Sequence, residues 1–165
     1  MSKTIGVGDA APDFERPDHA GRPVRLSSLR PRPAVLFFYP KNHTPACTAE
    51  ACAFRDAYEV FAQAGAEVIG ISTGSEAGHA GFARRHGLPY RLIADDGSIR
   101  RAFGVPRTLG LFPGRVTYVI DGAGIVRHVF NAQLNVGGHI ASALEVVRSL
   151  APGGNGQGRT EPARP

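Results

Sequence analysis

The sequence predicts an α/β sandwich with a mixed central β-sheet, flanking helices and an N-terminal hairpin. Two apolar runs, residues 33–39 and 67–72, are each followed by a stretch with helical spacing, which indicates strand–helix–strand–helix order. Further along, Asp121-Gly122-Ala123-Gly124 separates two β-branched runs, a strong hairpin signal. An amphipathic segment over residues 138–150 predicts a last helix. Elements in this order predict a layered α/β arrangement.

The first predicted elements are short. Within residues 1–31, a turn-rich cluster at 18–23 lies between two extended pieces and predicts a small hairpin. Residues 26–29 predict a brief helical turn. Residues 33–39 are apolar on both faces, as expected of a central strand in a covered sheet.

The first long helix is predicted over residues 48–64. Phe54, Tyr58 and Phe61 recur at spacings of four and three, which is typical of one helix face, and Gly65 ends the helix. The later elements follow in chain order: a strand over 67–72, a helix over 75–86 ended by Gly87, a strand over 89–94, one or two helical turns within 95–103, a loop over 104–114, strands over 115–120 and 125–130, and a helix over 138–150.

One domain is predicted over residues 1–150. The chain of 165 residues is long enough for a hydrophobic core, and 42% apolar with 20% charged residues indicates a globular protein. Residues 151–165 consist of Gly, Pro and mostly polar residues and predict a disordered tail.

Charge and apolar content argue against nucleic-acid binding and membrane insertion. The net charge of +5 comes mainly from arginines that are spread along the chain without a dense run. The longest apolar run, residues 34–39, is far shorter than the ~20 residues that cross a bilayer. Residues 1–10 carry no secretory signal, so the sequence predicts a soluble cytoplasmic protein. Thiols are kept reduced in that compartment, which favours a redox-active role for a close cysteine pair.

The candidate site is the stretch from Pro40 to Cys52, which follows the first long strand and holds both cysteines. Cys47 lies at the first turn of the predicted helix, behind Pro45, where unpaired N–H groups and the helix dipole favour an anion. The pattern predicts a reactive thiolate, with a buried core cysteine as the alternative. Thr44 is close enough to offer its hydroxyl to the sulfur, and it is also suited to be the helix N-cap.

The spacing of Cys47 and Cys52 limits how they can react. On a continuous α-helix, five residues give a rise of ~7.5 Å and a rotation of ~140°, which places the Cα atoms roughly 8–9 Å apart. A disulfide needs Cα atoms within about 7 Å. Either the two cysteines never react with each other, or the first turns of the helix unwind when they do. The spacing is not the Cys-x-x-Cys of thioredoxin-type sites, and the histidines show no paired spacing for zinc.

A thiolate with a partner thiol nearby is suited to peroxide reduction. The thiolate attacks a peroxide oxygen and becomes a sulfenic acid, with which the second thiol condenses to a disulfide. Breaking the O–O bond needs charge stabilisation, which an arginine and backbone N–H groups supply. Arg115, at the start of a predicted strand, is one candidate, although composition alone does not select it from the other arginines.

This stretch resembles the active-site signature of the peroxiredoxin family, and specifically of its Q-type or bacterioferritin-comigratory subfamily. The family signature Pro-x-x-x-Thr-x-x-Cys matches Pro40, Thr44 and Cys47. The subfamily extends the signature with Glu50-Ala51-Cys52 and Phe54-Arg55-Asp56, which are present here. The resemblance covers roughly residues 5–150.

The resemblance implies a thioredoxin-like fold and peroxidase activity on hydrogen peroxide and organic hydroperoxides. It implies no metal or organic cofactor. Cys47 is placed as the peroxidatic cysteine and Cys52 as the resolving cysteine. Pro40 is expected to shield the sulfur, and Thr44 is expected to orient the peroxide.

The resemblance also implies an arginine and a reductant. The family's second-site arginine is placed on Arg115, with Arg107 of the same loop region as the alternative. Thioredoxin or a glutaredoxin-like protein is the implied reductant. Resolution within one chain favours a monomer, with a weak dimer left open. The alternative function is a non-enzymatic redox switch acting on a protein partner, but a switch would need neither Thr44 nor a matched arginine.

Overall fold

A five-stranded mixed sheet lies at the centre of the structure, a computed structural model that describes residues 4–106 and 114–150. Its elements in chain order are β1 (Glu15–Pro17), β2 (Pro23–Arg25), a 3-10 turn (Leu26–Leu29), β3 (Ala34–Phe38), α1 (Pro45–Gln63), β4 (Glu67–Ser72), α2 (Glu76–His86), β5 (Arg91–Ala94), α3 (Ser98–Phe103), β6 (Val116–Ile120), β7 (Val126–Asn131) and α4 (Val136–Leu150). The first two strands form a separate antiparallel hairpin.

The strand order determines which segments of the chain meet at the end of β3. The sheet runs β5-β4-β3-β6-β7, with β3 parallel to β4 and antiparallel to β6. Phe38, the last residue of β3, therefore pairs with Val116, the first residue of β6. The segment that leads from β3 into α1 and the residue before β6 consequently lie at the same end of the sheet.

Both faces of β3 are buried. Phe37 points toward the layer that contains α1, α2 and α4, whereas Phe38 points toward the N-terminal segment and α3. Phe37 stacks on Phe54 of α1 with ring centroids 4.4 Å apart. Gly70 in β4 leaves room for this ring, because a Cβ at that position would lie 2.8 Å from Phe37. This burial on both sides matches the all-apolar pattern of the strand.

The predicted fold class is confirmed: a mixed sheet, flanking helices and an N-terminal hairpin are all present. The bounds of individual elements shift by up to three residues. Helix α1 begins at Pro45 instead of residue 48, because proline is well suited to the first helical position. Helix α4 begins at Val136 instead of residue 138, and β5 begins at Arg91 instead of residue 89.

Three sequence predictions fall outside the described residues. The predicted tail over 151–165, most of the loop over 104–114, and Arg107 are not described, so the domain boundary at residue 150 stays a prediction. Among the helices of residues 4–106 and 114–150, none combines the length and apolar character that a membrane span requires.

Candidate active site

Cys47 is the third residue of α1 and lies on the helix face that packs against the sheet. Thr44 is the N-cap, with extended backbone, and Pro45 is the first helical residue, where its missing N–H costs no helical hydrogen bond. Cys47 is only 1% exposed. The positive end of the helix dipole therefore acts on a buried sulfur, a setting that favours an anion.

Arg115 lies directly before β6 and reaches the sulfur of Cys47. Its Nη2 donates a hydrogen bond to Sγ over 3.2 Å, although the two residues are 68 positions apart in the sequence. They meet because β6 runs antiparallel to β3, which brings its start to the end of β3. Arg115 is 2% exposed, so its charge acts on the sulfur with little screening by water.

Glu50 fixes the arginine, and sequence reasoning did not assign it this role. Its Oε1 accepts a hydrogen bond from Nη1 of Arg115 over 2.7 Å, and Nε of the same arginine donates to the carbonyl oxygen of Gln133 over 2.7 Å. Burial raises the pKa of Glu50 to about 7, and the nearby guanidinium opposes that rise. The spacing of three residues from Cys47 is a signal that was available, because it places both side chains on one helix face.

Cys52 lies on the same continuous helix, and the structure does not bring it to Cys47. Both cysteines are free, with Cys47 buried and Cys52 half-buried. Next to Cys52, the carbonyl oxygen of Ala51 accepts a hydrogen bond from the hydroxyl of Tyr90 over 2.6 Å. With α1 intact, the separation predicted from helix geometry applies, and a disulfide requires part of the helix to open.

Thr44 and Pro40 lie near Cys47 in the chain but make no hydrogen bond to it among the described residues. The hydroxyl of Thr44 donates to the carbonyl oxygen of Lys41 over 3.3 Å and does not cap the helix. Pro40 is half-buried, and its carbonyl oxygen accepts from the hydroxyl of Thr73 over 3.4 Å. Their expected roles toward peroxide stay predictions.

A hydrogen-bonded chain ties the loop before α1 to α2. The hydroxyl of Tyr39 donates to Oδ1 of Asn42 over 2.8 Å, and Nδ2 of Asn42 lies 3.0 Å from Nδ1 of His79. His79 is fully buried in α2, and burial lowers its pKa. His43, the next loop residue, adopts a positive φ of 68°, which turns the chain into the helix.

A buried thiol that accepts a hydrogen bond from an arginine, on a sheet of this topology, defines a class of thioredoxin-like thiol peroxidases. The sequence profile of the AhpC/TSA family matches residues 7–129. The chain belongs to this family, that of the peroxiredoxins, and its relatives place it with the Q type.

Three relatives illustrate the similarity. Peroxiredoxin Q, chloroplastic, of Oryza sativa subsp. japonica is 47% identical over 148 residues, which cover 88% of this chain and 68% of the rice protein. Peroxidoxin BcpB from Mycobacterium tuberculosis is 40% identical in its crystal structure, with a TM-score of 0.80 over 87% of this chain and 97% of that one. The bacterioferritin comigratory protein of Xanthomonas campestris is 27% identical, with a TM-score of 0.78 over 90% and 98%. The resemblance is confirmed, and the protein is a thiol peroxidase.

The predicted cytoplasmic location is wrong by the same comparison. The peroxiredoxin Q relatives of Oryza sativa and Arabidopsis thaliana, each 47% identical to this chain, are chloroplastic proteins. The prediction was based on the polar residues 1–10. Polar residues at this position do not distinguish the cytoplasm from a chloroplast, in which thiols are also kept reduced.

Proposed function

We propose that peroxide is reduced at Cys47, that Cys52 resolves the product within the same chain, and that thioredoxin or a glutaredoxin-like protein is the reductant. The observation that carries the proposal is the hydrogen bond from Arg115 to Sγ of Cys47 in a buried site. A fixed positive charge there stabilises the thiolate and the negative charge that develops on the peroxide oxygens. A redox switch needs no such arginine, so the pair favours the enzyme.

In the first step, the Cys47 thiolate attacks one oxygen of the hydroperoxide. The S–O bond forms as the O–O bond breaks, so the sulfur is oxidised to a sulfenic acid. The second oxygen leaves as an alkoxide or hydroxide and takes up a proton. We expect the hydroxyl of Thr44 to leave the Lys41 carbonyl and bind the peroxide, while Pro40 shields the sulfur from water.

In the second step, the sulfenic acid of Cys47 condenses with the thiol of Cys52. A disulfide forms and one water molecule leaves. Because an intact helix holds the Cα atoms roughly 8–9 Å apart, the first turns of α1 must unwind during this step. The reduced form is therefore helical over 47–52, and the oxidised form is locally unwound.

In the third step, a dithiol protein reduces the Cys47–Cys52 disulfide by thiol–disulfide exchange. The two cysteines return to thiols and the reductant leaves as a disulfide. Hydrogen peroxide and organic hydroperoxides are both proposed substrates, and the Xanthomonas relative is described by its alkyl peroxide reduction activity. Since one chain supplies both cysteines, a monomer suffices.

Stopped-flow reduction of hydrogen peroxide tests the role of Cys47. The wild type is expected to react far faster than Cys47→Ser. Equally slow reactions of the two proteins would contradict the proposal. Cys52→Ser is expected to react once and then stop when thioredoxin is the reductant. Normal steady-state turnover of Cys52→Ser would exclude Cys52 as the resolving residue. The same assay with glutaredoxin compares the two reductants.

A further inference from the structure

A buried histidine lies behind the Arg115–Glu50 pair and has no part in the reaction described so far. His139 is in the first turn of α4, fully buried, with Nδ1 3.6 Å from Oε2 of Glu50. We infer that His139 is a positioning residue for the peroxidase site. His139 and Glu50 share one proton, so Glu50 does not neutralise Arg115, and the positive charge of Arg115 can stabilise the Cys47 thiolate. The inference rests on the proposed function, because it assumes that Cys47 reacts as a thiolate.

Glu50 has one carboxyl oxygen with a partner and one without. Oε1 accepts the hydrogen bond from Arg115. Oε2 is buried and has no hydrogen-bond partner within the described part of the chain. An unpartnered oxygen of a buried carboxylate is costly, so its environment must compensate for it. The polar group that faces it is the ring of His139.

The orientation of the His139 ring is fixed from two sides. Nε2 lies 2.7 Å from the carbonyl oxygen of Ala132, and a carbonyl only accepts, so Nε2 carries a hydrogen. Nδ1 lies 2.8 Å from Oγ1 of Thr117 in β6. In the neutral ring, Nδ1 is therefore an acceptor for the Thr117 hydroxyl. The ring also packs edge to face on Phe130, with centroids 4.7 Å apart.

One additional proton makes the contact between Glu50 and His139 attractive. Without it, an ionised Oε2 faces an acceptor nitrogen. With the proton on Oε2, the neutral carboxyl can donate to Nδ1 in place of the Thr117 hydroxyl; with the proton on Nδ1, the imidazolium and the carboxylate attract each other across 3.6 Å. Burial raises the pKa of Glu50 to about 7 and lowers the pKa of His139, so the carboxyl is the preferred carrier.

The charge balance links this proton to the reactivity of Cys47. With the proton present, Arg115, Glu50 and His139 together carry one net positive charge, which matches one thiolate. Without it, Glu50 neutralises the arginine, and a thiolate adds an uncompensated negative charge to a buried site. The shared proton thus leaves the guanidinium available to the sulfur.

Two phenols and one further histidine near this cluster stay neutral at neutral pH. Burial raises the pKa of the phenols of Tyr39 and Tyr90, which therefore stay neutral. Burial lowers the pKa of His128 on β7, although Glu145 opposes the shift. The proton shared by Glu50 and His139 is therefore the group expected to titrate.

Glu50→Gln is the sharpest variant, because it copies the protonated carboxyl. Its carbonyl oxygen can accept from Arg115 and its amide can donate to His139. We expect its rate constant for hydrogen peroxide to show no decline on the alkaline side, because the amide has no proton to lose in this range. The wild type, in contrast, is expected to slow on the alkaline side as the shared proton leaves Glu50, whose pKa burial raises to about 7. A loss of about 100-fold or more at every pH, the size seen when a direct charge is removed, would overturn the inference. The inference would also be overturned if the rate constant of Glu50→Gln declined at alkaline pH as much as that of the wild type.

A pair of histidine variants separates positioning from general structural damage. His139→Gln keeps a donor for the Ala132 carbonyl but removes the nitrogen that faces Glu50, so we expect the rate constant to fall by about tenfold, less than for a direct contact. His128→Gln is the matched control, since His128 lies 2.9 Å from the Ser142 hydroxyl and makes no hydrogen bond or ion pair with Glu50 or Arg115 among the described residues. Equal rate constants for the two variants, with equal circular dichroism, would refute the role of His139.

Infrared difference spectroscopy supplies a readout that does not depend on turnover. Between acid and alkaline pH, the reduced wild type is expected to lose a carboxyl C=O band that Glu50→Gln lacks. The absence of any such band would overturn the shared proton even if the enzyme is active. Conversely, a peroxide reaction that survives in Cys47→Ser would overturn the proposed function and leave the infrared result intact.

Discussion

The two cysteines of α1 lie close in sequence but in opposite surroundings. Cys47 is buried in the first turn and accepts a hydrogen bond from Arg115. Cys52 is half-buried in the second turn, next to the Ala51 carbonyl that Tyr90 binds. The Cys47 thiol therefore lies in a polar site formed by Arg115, whereas Cys52 lies in a part of the helix that is held by the hydrogen bond from Tyr90.

This difference indicates which turn moves when the disulfide forms. Within residues 45–48, only Cys47 is buried, and the Thr44 side chain does not cap the helix. From Ala51 onward the helix is anchored by the buried side chains of Ala51 and Phe54. We therefore expect the first turn to unwind and carry Cys47 away from Arg115, while Cys52 stays in place.

The largest expected effect is on the rate constant for hydrogen peroxide when Arg115, the hydrogen-bond donor to Cys47, is replaced. Arg115→Lys keeps a positive charge but cannot bind the sulfur, Glu50 and the Gln133 carbonyl at once, because lysine lacks the planar fork of arginine. We expect the rate constant for hydrogen peroxide to fall by about 100-fold in stopped-flow measurements. Arg127→Lys is the control and should be unchanged, because Arg127 is exposed and its ion pair with Asp121 lies outside the site. A change under about fivefold in Arg115→Lys would contradict the role given to Arg115.

A smaller effect is expected from loosening the helix between the cysteines. Ala49 is exposed between Cys47 and Cys52, and Ala62 is exposed near the end of the same helix. Each Ala→Gly change costs about 1 kcal/mol of helix stability, which corresponds to about a fivefold shift in opening. Disulfide formation after a peroxide pulse should therefore be about fivefold faster in Ala49→Gly.

Ala62→Gly is the control for that prediction, because it weakens the helix at the end away from the cysteines. Its rate of disulfide formation should equal that of the wild type. Equal acceleration in both variants would mean that the whole helix opens, and no acceleration in Ala49→Gly would mean that opening does not limit resolution. Rapid quenching with a thiol-alkylating reagent and mass spectrometry measures the rate.

The smallest expected effect concerns the loop that enters α1. Burial lowers the pKa of His79 below its ordinary value, so the unfolded chain binds more protons as the pH falls. The free energy of unfolding should therefore decrease as the pH falls through about 6.5, by less than about 1 kcal/mol at pH 6 for this group. A second proton on Nδ1 would also remove the acceptor that faces Asn42.

Urea unfolding of the reduced protein at two pH values measures this effect. His79→Gln should show a weaker dependence on pH than the wild type, although His139 contributes a dependence of the same sign. His43→Gln is the control, because His43 is exposed. If His79→Gln keeps the full pH dependence, His79 does not couple protonation to the stability of this loop.

Local patterns of apolar residues in the sequence predict most of the helices and strands of the fold. The all-apolar pattern of β3 and the aromatic spacing of α1 reflect burial that each segment carries in its own sequence. The start of α1 was harder, because Pro45 fits both a loop and a first helical turn. Helix boundaries depend on such terminal residues, which several conformations tolerate.

The site was predictable only in part. The positions and spacing of Cys47 and Cys52 mark them as candidate site residues. Arg115 was predicted only through the resemblance to the peroxiredoxin family. The sequence assigns no role to Glu50 or His139, because their roles depend on contacts between distant parts of the chain. Glu50 contacts Arg115, 65 positions away, and His139 of α4 faces Glu50 of α1. A single sequence gives no distance between α1 and α4, so a buried charge partner cannot be read from it.

The antiparallel pairing of β6 with β3 has a consequence for folding. Cys47 and Arg115 are 68 positions apart, so their contact forms only after a non-local strand pairing is complete. A chain that has formed α1 but has not yet docked β6 holds a cysteine without its arginine. In such a chain we expect Cys47 to react with hydrogen peroxide only at the slow rate of an ordinary thiol. During refolding, the onset of rapid peroxide consumption should therefore follow the docking of β6 and mark the completion of the sheet.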